Sequence, residues 1–187
     1  MITKKIVAGK YKNMLINLPS LDSTRSTKSI MKESLFDTLQ FDIVNEPFVE
    51  VFGGSGSMGL EALSRGGSHA YFFEKDKKAF LVLKDNCNRI AKNDTTCIGG
   101  DSFVEFPKFI KKLKHKSFFY FDPPFSIRDG MEDIYENTLK LIEMIPKELA
   151  HLIIVEHMSK QKMPEVIGSY TLKKTKKFGK STLTYYT

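Results

Sequence analysis

At 187 residues with 41% hydrophobic content, the chain is long enough to bury one sizeable core and is expected to fold as a single domain. Two cysteines without metal-like or redox-motif spacing argue against a disulfide framework. No apolar run approaches the roughly 18 residues of a membrane span, and the first is too short for a secretory signal, so a cytoplasmic setting is expected. The net charge of +7 is uneven: residues 1–36 carry 7 Lys/Arg against 2 Asp/Glu, residues 157–187 carry 7 against 1, and the middle carries 15 against 19. Excesses of +5 and +6 around a centre of −4 fit a polyanion held by the ends and chemistry in the middle.

Lys4 to Leu18 alternates loosely around Gly9-Lys10-Tyr11-Lys12-Asn13, which predicts a β-hairpin or two short strands. Lys10 and Lys12 flanking Tyr11 suit phosphate contacts plus base stacking. The capping-rich stretch Asp22 to Thr27 leads into a helix over about Lys28 to Gln40. Phe48-Val49-Glu50-Val51 then reads as a buried strand, followed by the loop Phe52-Gly53-Gly54-Ser55-Gly56 and a helix that stops at Gly66-Gly67. Gly54, Gly56 and Gly59 satisfy G-x-G-x-x-G between strand and helix, which points to a nucleotide-like cofactor held close to backbone amides.

A second strand, Ala70 to Phe73, ends at Glu74, 20 residues after Gly54, where an acid would bind a ribose hydroxyl pair. Asp76 is placed to cap a helix from about Lys77 to Lys92. A third strand near Thr96 to Ile98 ends before Asp101, and the helix after it carries Phe103, Phe106, Phe109, Ile110 and Leu113 with lysines outside. The fourth strand, Ser117 to Phe121, stops at Asp122-Pro123-Pro124-Phe125. A helix from about Gly130 to Ile145 precedes a fifth strand, Leu152 to Val155, ending at Glu156. Tyr170 to Lys177 and Thr182 to Tyr186 read as a closing antiparallel hairpin.

Strands alternating with helices at this spacing predict an α/β fold with a doubly wound, mostly parallel sheet. Its ligands belong at the carboxyl ends of the strands, which is where the glycine loop, Glu74, Asp101 and Asp122 all fall. Pro123 and Pro124 donate no N–H, so the Asp122 carboxylate and the Asp122 and Pro123 carbonyls form an acceptor cluster. Such a cluster suits an exocyclic amino group, with Phe125 as a stacking face for a flat base. A nicotinamide dehydrogenase built on the same glycine loop would leave these four residues unexplained.

In these motifs the chain resembles the class I S-adenosylmethionine-dependent methyltransferases, and within them the RsmD-like enzymes that methylate the N2 amino group of a guanine in bacterial small-subunit ribosomal RNA. The resemblance rests on Gly9-Lys10-Tyr11-Lys12, Thr24 to Thr27 with Lys32 to Phe36, Phe52 through Gly66 with its Gly59-Leu60-Glu61-Ala62-Leu63-Ser64-Arg65-Gly66 stretch, Glu74-Lys75-Asp76, and Asp122 to Phe125. The chain departs from the family pattern at Glu50 (usually Asp), Gly53 (usually Ala) and Ser26 (usually Pro).

The resemblance implies a seven-stranded Rossmann-like sheet with a reversed final hairpin and a small amino-terminal hairpin and helix. Residues 1–40 would form the RNA-contacting extension and 41–187 the catalytic core. It implies S-adenosyl-L-methionine as cofactor, touched by Thr27, Glu50, Phe52, Gly53, Gly54, Ser55, Gly56, Glu74, Lys75, Asp101, Ser102 and Asp122. Catalysis would fall to Asp122, Pro123, Pro124 and Phe125, and RNA contact to Lys10, Tyr11, Lys12 and Arg25. No metal is expected, since a sulfonium is already a good leaving group. The expected partner is ribosomal RNA or the assembling small subunit, met by a monomer without membrane contact. Adenine N6 of DNA or RNA, a protein glutamine amide, and a non-catalytic RNA-binding assembly factor are the alternatives.

Overall fold

The computed structural model describes residues 2–19, 25–124 and 133–187, with backbone alone for 25–27. Two short strands, β1 (Thr3–Lys5) and β2 (Leu15–Asn17), pair antiparallel as a separate ribbon. Then come α1 (Arg25–Leu39), β3 (Phe48–Glu50), α2 (Ser57–Ser64), β4 (Ala70–Glu74), α3 (Lys77–Ala91), β5 (Thr95–Gly99), α4 (Ser102–Ile110) and β6 (Ser117–Phe121). After the second undescribed stretch follow α5 (Ile134–Glu143), β7 (Ala150–Met158), β8 (Val166–Ile167), β9 (Tyr170–Phe178) and β10 (Ser181–Tyr186).

The main sheet has the order β5-β4-β3-β6-β7-β10-β9-β8. From β5 to β7 all neighbours are parallel, and β10 enters antiparallel between β7 and β9. From β3 the chain winds one way to β4 and β5, then the other way to β6 and β7. The crevice between β3 and β6 is therefore where strand order reverses and a ligand fits. The expected seven strands are all present, and the two-residue β8 adds an eighth at the edge. It is too short to leave a pattern in the sequence.

Side-chain parity divides the core. Val49 and Val51, Phe119 and Phe121, and Ile153 and Val155 face α4 and α5 in one apolar cluster. Phe48, Phe118, Tyr120, Leu152 and Ile154 face the other way, against Met31, Leu35, Phe36 and Leu39 of α1 and Ala62 of α2. On that second face the same alternation brings Glu50, Asp122 and Glu156, each two residues beyond an apolar position, to the strand ends under α1. Strand β7 runs past the predicted end at Val155 because β10 pairs with it as far as Ser181 opposite Met158. No helix among the described residues is long and apolar enough to cross a membrane.

Candidate active site

Two cavities of about 400 and 310 Å³ lie side by side along the carboxyl-terminal edge of the sheet and share Phe52, Gly54 and Asp122. The glycine loop is their common wall, but its three motif glycines do different things. A Cβ on Gly54 would meet nothing within 4 Å, so this residue leaves room beside the cleft. A Cβ on Gly56 would lie 2.7 Å from Leu83, and one on Gly59 2.4 Å from the Phe72 ring. Those two glycines let α2 pack against α3 and β4.

The acids at the strand ends are fixed by backbone donors. Glu74 accepts the Gly54 N–H at Oε2 (2.9 Å) and the Asp76 N–H at Oε1 (2.8 Å). A carboxylate has about four acceptor sites, so two stay available for hydroxyl groups. Asp101 caps α4 through the Phe103 N–H (3.0 Å) and faces Lys75 at 3.5 Å. The Ser102 hydroxyl is committed to the Val51 carbonyl, which ties α4 to the end of β3. Glu74, Lys75, Asp101, Ser102 and Pro124 line the smaller cavity.

The larger cavity holds Glu50, Phe52, Gly53, Gly54, Ser55 and Asp122 from the predicted set. Glu50 is buried and accepts the Gly59 N–H at 2.8 Å, at the start of α2. Burial pushes its carboxyl up to about 8, against the pull of that N–H and helped by Asp122. Lys28 approaches Asp122 at 3.7 Å. Beside them, the Tyr120 hydroxyl donates to Glu156, itself buried and pushed up to about 8, first by burial and then by Asp122. Glu156 carries the same signal as the other strand-end acids, an acid directly after an apolar run, and lies outside the site residues expected from the sequence.

Glu61 is the other residue whose role the sequence left unread. Fully buried in α2, it accepts the Val7 and Ala8 N–H groups (3.0 and 3.1 Å), Lys32 Nζ (3.1 Å) and Arg65 Nε (2.9 Å). One helical turn on, Ser64 Oγ accepts the Tyr11 N–H, and the Ser64 carbonyl accepts the Lys10 N–H (2.8 Å). A Cβ on Gly9 would fall 1.7 Å from that carbonyl. The Glu61 to Ser64 stretch is thus the dock for the amino-terminal ribbon, and the spacing of Glu61 and Arg65 at i and i+4 was its only local hint.

That docking sets two of the predicted RNA contacts, Lys10 and Tyr11, away from the cleft. Lys10 lies over the Tyr11 ring and pairs with Asp94 at 3.7 Å, just before β5 and so at the end of the sheet away from the cavities. Tyr11 is half-buried against the cluster around Leu60, Phe72 and Leu83. The lysines that line the larger cavity are Lys4, Lys5, Lys28 and Lys32. Phe125 and the side chains of Arg25 and Thr27 lie outside the described residues.

A mostly parallel sheet in this order, closed by an antiparallel hairpin, is the fold of the class I S-adenosylmethionine-dependent methyltransferases, and this chain is a methyltransferase of that class. Residues 4–187 match the model of the family described as Conserved hypothetical protein 95, and the chain belongs to that family. It is 28% identical to the ribosomal RNA small subunit methyltransferase D of Escherichia coli strain K12 over 178 residues, which cover 94% of this chain and 85% of that one. The protein of the same name from Buchnera aphidicola is also 28% identical, over 74% of this chain and 69% of its own. The solved structure of the Escherichia coli protein yhhF superposes with a TM-score of 0.76 at 25% identity, covering 98% of this chain and 97% of that one.

Proposed function

We propose that the chain transfers a methyl group from S-adenosylmethionine to the exocyclic N2 amino group of a guanine in small-subunit ribosomal RNA. The observation that carries this is Asp122 where the two cavities meet, followed by two prolines that leave only acceptors beside it. The relatives named as small-subunit ribosomal RNA methyltransferases support the substrate class.

The residues present fit the cofactor. Gly54 leaves open space where any side chain would intrude, and Glu74, already oriented by two amides, keeps acceptor capacity for a ribose hydroxyl pair. Asp101 with Phe103 borders the adenine end, where Lys75 and Ser102 complete the wall. Glu50 is buried, and no cation is hydrogen-bonded to it among the described residues, which suits it to the ammonium of the methionine end; Phe52, Gly53 and Ser55 line the same cavity, and Gly56 and Thr27 are assigned to that end with them.

Bound there, S-adenosylmethionine supplies a methyl group on a cationic sulfur, which keeps the bonding pair as the methyl leaves. Asp122 and the Pro123 carbonyl accept the two N2 hydrogens and so aim the nitrogen lone pair at the methyl carbon. Pro124 fixes the turn, and Phe125 stacks on the base. The proton that N2 loses passes to Asp122, which is 26% exposed and returns it to water. Positioning of this kind is worth roughly 7–11 kcal/mol. The target base must be unstacked or already single-stranded to enter. Lys4, Lys5 and Lys28 receive phosphates at the mouth, and Lys10, Tyr11, Lys12 and Arg25 extend the RNA footprint along residues 1–40, leaving 41–187 as the catalytic core. The enzyme works as a monomer where ribosomal subunits are assembled.

The test is the Asp122→Ala variant in single-turnover transfer onto small-subunit ribosomal RNA. The rate is expected to fall on the order of 10² or more while calorimetric cofactor affinity changes little. A wild-type rate in that variant would remove Asp122 from the chemistry.

A further inference from the structure

Register and parity bring a second acid against Asp122. Strand β6 pairs with β7 at Tyr120 opposite Ile154 and Phe121 opposite Val155, so one further step sets Asp122 level with Glu156. Both belong to the face under α1, and both line the larger cavity. Glu156 is 1% exposed. Its Oε2 accepts the Tyr120 hydroxyl, whereas Oε1 is buried and no donor among the described residues satisfies it. A buried carboxyl oxygen left in that state is costly unless a neighbour can take it up.

We propose that Glu156 is a positioning residue for methyl transfer: tied through one oxygen to Tyr120, it shares a proton through the other with Asp122 and holds that carboxylate in the orientation that receives the target amino group. Two like charges on adjacent strands at the same level repel, and one proton between them turns repulsion into a hydrogen bond. The groups facing the pair are consistent with this. Tyr120 comes from β6 and Asp122 directly follows it, with Lys28 from α1, Tyr135 from α5, and Glu50 from β3. Of these, Asp122 raises the Glu156 carboxyl and Lys28 lowers it, with burial the largest influence and the balance at about 8. Near neutral pH Glu156 therefore keeps the proton it shares, and at higher pH the pair is doubly charged and springs apart.

The experiment, resting on the function proposed above, is single-turnover methyl transfer at saturating S-adenosylmethionine onto small-subunit ribosomal RNA transcribed in vitro, between about pH 6 and 10. Wild-type rate should decline as pH rises through about 8. Glu156→Gln, which keeps a neutral donor, should run within about threefold of wild type at pH 7 and lose the decline. Glu156→Ala should be slower by about tenfold or more with cofactor affinity within about twofold. A Glu156→Gln profile that declines as wild type does, or a Glu156→Ala rate equal to wild type, would overturn the proposal. If Glu156→Ala does not fold, the Glu156→Gln profile decides alone. If the wild type transfers no methyl to this RNA, the substrate reading fails, and carboxyl ¹³C NMR decides the inference: Asp122 should show an inflection near pH 8 that Glu156→Gln abolishes, and an unchanged titration refutes it.

Discussion

Replacing Glu61 by Ala tests how the amino-terminal ribbon is attached. Its carboxylate takes four donors from three segments: Val7 and Ala8, Lys32 of α1, and Arg65 at the C-cap of α2. Lys32 is only 5% exposed, so removing Glu61 strands a buried ammonium, a change that costs roughly 3–5 kcal/mol. Two backbone N–H groups also lose their acceptor, at roughly 1–3 kcal/mol each unless the ribbon detaches and water replaces it. Detachment limits the loss, so about 3–5 kcal/mol is expected by urea denaturation, or about 6–20 °C in melting temperature for a chain of this length. Hydrogen exchange at residues 2–19 should rise in step. Adding Lys32→Met to Glu61→Ala should recover part of the loss, because the buried ammonium is then gone and Arg65 keeps Asp37 at 3.6 Å. A Glu61→Ala protein within about 1 kcal/mol of wild type, with unchanged exchange in the ribbon, would refute the docking.

Glu74→Ala should weaken S-adenosylmethionine binding about tenfold or more, since a hydrogen bond to a charged group carries roughly 1.5–3 kcal/mol and 1.4 kcal/mol is one decade; calorimetry on the folded variant reads it. Glu50 and Glu156 are both held near 8, above the ordinary 4.5, so the folded state binds more protons than the unfolded between those values. The stabilisation they give is complete below about pH 4.5 and is lost as pH rises through about 8. The melting temperature of the free protein should fall from pH 6 to 9, and cofactor should flatten that fall by supplying Glu50 with a cation. Charge reversal of Lys4 and Lys5 should weaken RNA binding more than reversal of Lys10 and Lys12, and should flatten the salt dependence by about 0.7–0.9 in log–log slope per lost phosphate contact. Equal effects from the two pairs would put the RNA on both ends of the ribbon.

The strands are legible because each buried run is short, apolar and punctuated: Ser117 to Phe121 is bounded to the residue, Glu74 closes β4, and Asp101, two residues past the end of β5, caps α4. What was not legible depends on partners distant in the chain. The extra length of β7 exists only because β10 lies beside it, and β8 only because β9 does. The glycine motif gave the loop, but that Gly56 and Gly59 serve packing while Gly54 serves the cleft is decided by Leu83 and Phe72, which no local pattern connects to them. Glu61 reads locally as an ordinary charged position on a helix. Its burial follows from a ribbon some 50 residues earlier folding back onto α2. Glu156 bears the same local mark as Glu74 and Asp122, since it too follows an apolar run directly.

The central claim is the identity of the atom that receives the methyl group. Small-subunit ribosomal RNA incubated with the protein and S-adenosylmethionine bearing an isotopically labelled methyl, then digested to nucleosides, separates the candidates by mass spectrometry. Label is expected in N2-methylguanosine and is expected to be abolished in Asp122→Ala. Label in N6-methyladenosine, or none above the Asp122→Ala background in RNA either free or in partly assembled subunits, would contradict it.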